Sequence, residues 1–276
     1  MKSREQSPPP DTVMDLQMKG KRALVTGSTA GIGYAIAESL AHEGVEVIVN
    51  GRTEARVLTA LERLNSITGQ TALGLAADLG TAEGIQEATA RFPDLDILVN
   101  NLGIFEAKPF EEISDYDWKH LFEVNVLSGV RLSRYYLSRM KATGWGRIVF
   151  ISSESALQIP AEMIHYGMTK TAQLAVARGL AELTVGTGVT VNSILPGPTA
   201  SEGVSTFVDQ LAAAQGKDKQ AMEKKFFATM RPSSLLQRFA RPEEVAALVA
   251  FVCSPRSSAT NGAALRVDGG VVRSIV

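Results

Sequence analysis

The sequence predicts an α/β protein, a doubly wound parallel sheet of about seven strands between two helical layers, folded as a single domain. Short β-branched runs alternate with longer amphipathic stretches, which is the spacing of strands and helices in turn. Most of the short runs are apolar at consecutive rather than alternate positions, as strands covered on both faces must be. A glycine-rich turn sits directly between the first run and the first helical stretch, where a parallel α/β sheet binds its ligand.

The first strand is expected at Arg22 to Thr26, followed by a helix over Gly31 to His42. Val45 to Val49 and Ala72 to Ala76 follow as strands, with a helix over Arg56 to Ser66 between them. A helix over Ala82 to Arg91 leads to a strand at Leu95 to Val99, and the periodic stretch Ser114 to Lys141 predicts one long helix. Then come strand Arg147 to Ser152, helix Ala161 to Thr184, strand Val189 to Leu195, an apolar helix through Val245 to Cys253 and a last strand at Ala264 to Val267. Right-handed crossovers would gather the strands' carboxyl ends along one edge. The stretch from Pro196 to Arg241 breaks the alternation, and its charged, helix-forming Asp209 to Met230 suggests a substrate flap around residues 197–240, or a surface excursion.

A formal net charge of -1 with scattered basic residues gives no electrostatic case for nucleic acid or an anionic membrane, so the expected partner is a small molecule. Cys253 is the only cysteine, which rules out an intramolecular disulfide and suits a reducing cytoplasm. Residues 1–18 are polar, carry Pro8-Pro9-Pro10 and read as a loose arm without the apolar core of a secretory signal. No run approaches the roughly 20 apolar residues of a bilayer span. His42, His120 and His165 show no metal-ligand spacing, and no G-x-S-x-G turn surrounds Ser152 or Ser153 to support a hydrolase triad with His165 and Asp117.

Thr26-Gly-Ser-Thr-Ala-Gly31-Ile-Gly33 spaces its glycines as G-x-x-x-G-x-G, a turn that lets backbone approach a pyrophosphate at a helix N-terminus. Tyr166 and Lys170, four residues apart, share one helix face and place an ammonium near a phenol, which favours the phenolate and would lower its pKa. Together with Asn100-Asn-Leu-Gly103, Asn125 and Ser153, in this order and at these intervals, the motifs resemble the short-chain dehydrogenase/reductase family from about Met18 to Gly270.

The resemblance implies a one-domain Rossmann fold, a nicotinamide cofactor, interconversion of carbonyls and alcohols, and a homodimer or homotetramer. It places Tyr166 as proton donor and acceptor, Lys170 on the nicotinamide ribose, Ser153 on the substrate oxygen with Ser152 as its competitor, and Asn125 on a water-linked proton path. Cofactor contacts are implied for Gly27, Ser28, Thr29, Gly31, Ile32, Gly33, Asp78, Leu79, Asn100, Gly103, Pro196, Gly197 and Thr199. At the end of the second strand, Asn50-Gly51-Arg52 offers an arginine and no acid before Glu54, which favours NADP(H) over NAD(H). Phe105, Glu154, Gln158, Pro160, His165 and the flap are candidates to shape the substrate pocket. Sugar acids, polyols, small ketones, steroid-like rings and 3-oxoacyl thioesters all remain open. A dinucleotide-sensing protein without turnover and a sugar-nucleotide epimerase are the competing functions.

Overall fold

The computed structural model describes residues 14–201 and 218–275. Seven parallel strands form one sheet in the order β3-β2-β1-β4-β5-β6-β7. They are β1 (Arg22–Val25), β2 (Glu46–Gly51), β3 (Leu73–Ala76), β4 (Ile97–Asn100), β5 (Gly146–Ile151), β6 (Val189–Pro196) and β7 (Ala264–Val267). The order reverses beside β1, which sets a crevice between the carboxyl ends of β1 and β4. This is the doubly wound Rossmann-type arrangement that the alternating runs predict.

Consecutive side chains of β1 enter opposite cores: Ala23 and Val25 pack with one apolar cluster, Leu24 with the other. Helices α1 (Gly31–His42), α2 (Glu54–Thr68) and α8 (Pro242–Cys253) cover the first face. Helices α3 (Ala82–Arg91), α5 (Ser128–Thr143) and α6 (Ile164–Glu182) cover the second. Burying a side chain such as Leu24 contributes about 1.5–3 kcal/mol, so both faces of the central strands stabilise the sheet. Val245, Val249 and Val252 of α8 are buried in the cluster shared with α1, while Ala247 and Phe251 on the same helix remain exposed.

The stretch expected as one long helix is helical throughout 115–143 but changes its hydrogen-bond ladder midway. Helix α4 (Asp115–Phe122) starts on a capping box, with Ser114 Oγ accepting from Asp117 N at 3.2 Å and Asp117 Oδ2 accepting from Ser114 N at 2.8 Å. It passes into a π-helical turn at Glu123–Leu127 before α5 begins. Such a turn inserts a residue into the helical ladder and re-aims the side chains around it, which periodicity alone does not reveal. Asn125 lies in this turn.

The expected arm also ends earlier than residue 18, because Leu16 and Met18 are buried in the first cluster. The rest of that arm through residue 13, and residues 202–217 of the expected flap, lie outside the described residues. The described remainder of the flap contains α7 (Lys219–Thr229) and a segment tied to the end of β7. There Leu235 N and Leu236 N donate to Gly269 O at 2.8 and 2.9 Å, and Ser233 Oγ donates to Val271 O at 2.6 Å. Among the described residues, no helix is long and apolar enough to cross a membrane.

Candidate active site

At the end of β1 the chain turns through Gly27 and Gly31, both at positive φ (61° and 57°), where a side chain would be strained. Gly33 is needed for a different reason: a methyl group there would lie 2.4 Å from Gly27 O and 2.5 Å from Asn101 Nδ2. Two asparagines from neighbouring strands hold the turn. Asn50 Oδ1 accepts from Gly27 N at 3.0 Å while its Nδ2 donates to Leu75 O and Ala77 O. Asn101 Nδ2 donates to Thr26 O at 2.9 Å and Gly27 O at 3.1 Å. Sequence reasoning missed both braces, although each asparagine closes or follows a strand adjacent to β1.

The cofactor candidates separate into groups facing the crevice and groups facing inward. Ser28 faces inward: its hydroxyl donates to Val25 O at 2.7 Å, its N–H donates to Asn50 O, and it is fully buried. Leu79 likewise buries its side chain in the second apolar cluster. The side chains of Ser28 and Leu79 are therefore held within the protein and face away from the crevice. Asp78 is exposed and accepts from Gly80 N at 2.9 Å. Arg52 is exposed at the end of β2, and beside it a methyl group on Gly51 would meet Thr29 Cγ2 at 2.5 Å, so a side chain at position 51 would have to displace Thr29. Asn100 donates to Ser133 Oγ at 3.2 Å, and among the described residues its buried Oδ1 has no partner. A methyl group on Gly103 would crowd Lys170 Nζ at 3.3 Å, and Ile32, Pro196, Gly197 and Thr199 line the same cleft.

That cleft, about 1110 Å³ counting its open mouth, brings Ser153, Tyr166 and Lys170 together. Ser153 follows β5 and caps the short helical turn Glu154–Ala156, its Oγ accepting from Ser155 N at 3.1 Å. Ser152 is not its competitor, since the Ser152 hydroxyl donates to Lys170 O at 2.8 Å. Lys170 Nζ donates to Ile151 O at 2.9 Å and Gln173 Oε1 at 3.3 Å, and lies 5.5 Å from the Tyr166 ring centre. Gln173, unnoticed in the sequence, donates in turn to Asn125 O at 2.6 Å. The Asn125 side chain exchanges two hydrogen bonds with the Ile104 backbone and donates to Thr169 Oγ1 at 3.0 Å. It thus ties the loop after β4 to α6.

Electrostatics correct one expectation. Tyr166 is not lowered by its neighbour: burial raises its pKa and the Glu154 carboxylate adds to that, while a hydrogen bond with Ser153 and the Arg231 charge pull the other way. Burial also lowers Lys170 from its ordinary 10.5 to about 8. The unfolded chain then holds more protons between those two values, so stability rises with pH across that window. Lys170→Met is expected to stabilise the fold relative to the native chain at pH 7, with the gap narrowing by roughly 2–3 kcal/mol toward pH 10.5. Urea denaturation at both ends of the window checks this, and an unchanged gap would refute the burial effect.

Of the residues expected to shape the pocket, Glu154 and Phe105 line it, the Phe105 ring meeting Tyr166 edge-on at 6.1 Å. Gln158, Pro160 and His165 stand outside the lining. His165 is fully buried with its ring 5.9 Å from Trp118, and among the described residues neither ring nitrogen has a partner. Burial lowers its pKa and favours the neutral form. The far wall comprises Phe226, Met230, Arg231 and Phe239.

A doubly wound sheet, a glycine turn at its switch point and a Tyr-Lys pair in the adjoining cleft together define a dinucleotide-dependent oxidoreductase. Residues 27–272 match the sequence family described as enoyl-(acyl carrier protein) reductase. An uncharacterized oxidoreductase of Bacillus subtilis (strain 168), YvaG, is 51% identical over 95% of this chain and 100% of its own. The 3-oxoacyl-[acyl-carrier-protein] reductase FabG of Aquifex aeolicus (strain VF5) is 33% identical over 94% of this chain and 100% of its own. Among solved structures, L-sorbose reductase from Gluconobacter frateurii, complexed with NADPH and L-sorbose, superposes with a TM-score of 0.89 at 32% identity, covering 95% of this chain and 100% of that one. The chain belongs to the short-chain dehydrogenase/reductase family and is an NAD(P)-dependent oxidoreductase.

Proposed function

We propose that the protein is an NADP(H)-dependent oxidoreductase interconverting a carbonyl and a secondary alcohol, with Tyr166 passing the proton. The observation that carries this is the cleft's arrangement of Tyr166, Ser153 and Lys170: a phenol bonded to a serine hydroxyl, with a buried ammonium beneath its ring. The bound nicotinamide would supply or accept the hydride. Its pyrophosphate fits the backbone of Gly27, Thr29, Gly31, Ile32 and Gly33, where side chains are excluded by φ or by crowding at three of the five positions. Asp78, Asn100, Gly103, Pro196, Gly197 and Thr199 complete the same crevice, and Lys170 would reach the ribose.

Within the site, Tyr166 donates its proton to the substrate oxygen during reduction and recovers one during oxidation. Ser153 shares a hydrogen bond with the phenol and steadies the oxygen as charge develops on it. Asn125, through Gln173, holds Lys170 in place. The apolar wall of Phe226, Met230 and Phe239 favours a substrate with one apolar flank. Screening NADPH oxidation across a panel of ketones tests the activity, and turnover that survives Tyr166→Phe would sink it.

Arg52 carries the preference for the 2′-phosphate, supported by a glycine rather than an acid at position 51. Arg52→Ala is expected to weaken NADPH about tenfold or more while changing NADH little. Parallel titrations of the two cofactors decide it, since equal losses would reject the assignment. Self-association, implied by the family, is part of this reading, and the exposed Ala247 and Phe251 leave one face of α8 available to it. Sedimentation showing only monomer at micromolar concentration would remove it.

A further inference from the structure

The cleft holds a buried carboxylate that the proton-transfer scheme does not use. Glu154 is 5% exposed, and its Oε2 accepts the Ser153 hydroxyl proton at 2.5 Å. Its other oxygen faces Arg231 Nε at 3.1 Å, and Arg231, itself 7% exposed, also donates to Met230 O at 2.8 Å and to Glu162 Oε1 at 3.3 Å. A carboxylate so enclosed is costly unless paired, and this one is paired at both ends. The Ser153 hydroxyl is thus turned toward Glu154 while its oxygen accepts from Ser155 N at 3.1 Å, so the carboxylate sets the orientation of the serine.

We propose that Glu154 is a positioning residue of the active site: clamped between Ser153 and Arg231, it aims the serine and holds a negative charge beside Tyr166, which biases the enzyme toward carbonyl reduction. This rests on Tyr166 being the proton donor. A phenolate beside Glu154 is repelled, so the protonated phenol that reduction requires is the resting form. Arg231 opposes this from the segment after α7, which puts the charge balance at Tyr166 under the control of the substrate wall. The other groups facing the phenol are Lys170 on its own helix, Glu162 acting through Arg231, and the neutral Phe105 ring.

A simple structural brace and a charge balance differ in sign. Protein carrying 3-fluorotyrosine at its five tyrosines would be titrated by 19F NMR, with the Tyr166 resonance identified by its loss in Tyr166→Phe. Glu154→Gln should move the Tyr166 midpoint down by about one pH unit, Arg231→Met should move it up, and Arg231→Lys should restore it. Near-UV circular dichroism confirms the fold, and the near-isosteric Gln and Lys variants preserve the test should Arg231→Met not fold. Shifts in the same direction, or none, would overturn the proposal. On a turned-over ketone and its alcohol, Glu154→Gln should also raise the oxidation-to-reduction kcat ratio at pH 7 about tenfold. Turnover surviving Tyr166→Phe would instead defeat the proton-donor assignment, whereas its loss alongside an unmoved midpoint would defeat the role of Glu154 alone.

Discussion

Tyr166→Phe is expected to lower turnover by roughly 10²–10⁴-fold while leaving cofactor affinity within about twofold. The substitution removes one hydroxyl and keeps the ring, so the edge contact with Phe105 and the ammonium below it are preserved. What disappears is the group that shares a hydrogen bond with Ser153 and exchanges the proton. Single-turnover measurement with pre-bound NADPH separates this from weakened binding. A loss confined to KM would mean that the hydroxyl only binds substrate, and the proton would have to come from another group.

Gly33→Ala should damage the opposite half of the crevice. The added methyl group would sit 2.4 Å from Gly27 O and 2.5 Å from Asn101 Nδ2, both fixed by hydrogen bonds to neighbouring strands. Gly27 O belongs to the backbone of the turn, and Asn101 Nδ2 is tied to Thr26 O and Gly27 O, so the turn itself must shift. We expect a stability loss of about 1–3 kcal/mol and a drop in NADPH affinity of about 10²-fold, since the backbone amides leave their positions around the pyrophosphate. Isothermal titration and thermal unfolding measure the two effects separately. Native affinity in the variant would show that the turn does not cradle the cofactor.

Parts of the structure governed by local rules were legible in the sequence. The strands are continuous apolar runs because both their faces are buried, and a glycine turn between β1 and α1 announces itself by composition. The Tyr166-to-Lys170 spacing is a property of any helix, so it also survives the step from sequence to structure. What escaped depends on contacts between residues far apart. Asn50 and Asn101 are braces only because β2 and β4 flank β1, an order set by the crossovers. The π turn around Asn125 interrupts a stretch whose apolar periodicity reads as continuous helix. The sign of the Tyr166 shift was misjudged because Lys170 is visible at four residues' distance, whereas burial and the Glu154 and Arg231 charges are visible only in three dimensions.

The anchoring of the substrate wall has a consequence for how such enzymes diversify. Gly197 packs so closely on the loop after β7 that a methyl group there would meet Asp268 O at 2.5 Å, and the same loop accepts the Leu235 and Leu236 amides. The wall therefore takes its position from the loop after β7, the same loop that packs on Gly197 in the lining of the cleft. A change in that loop is felt by Gly197 and by the segment after α7 together, so the two sides of the cleft are coupled and must be altered in concert.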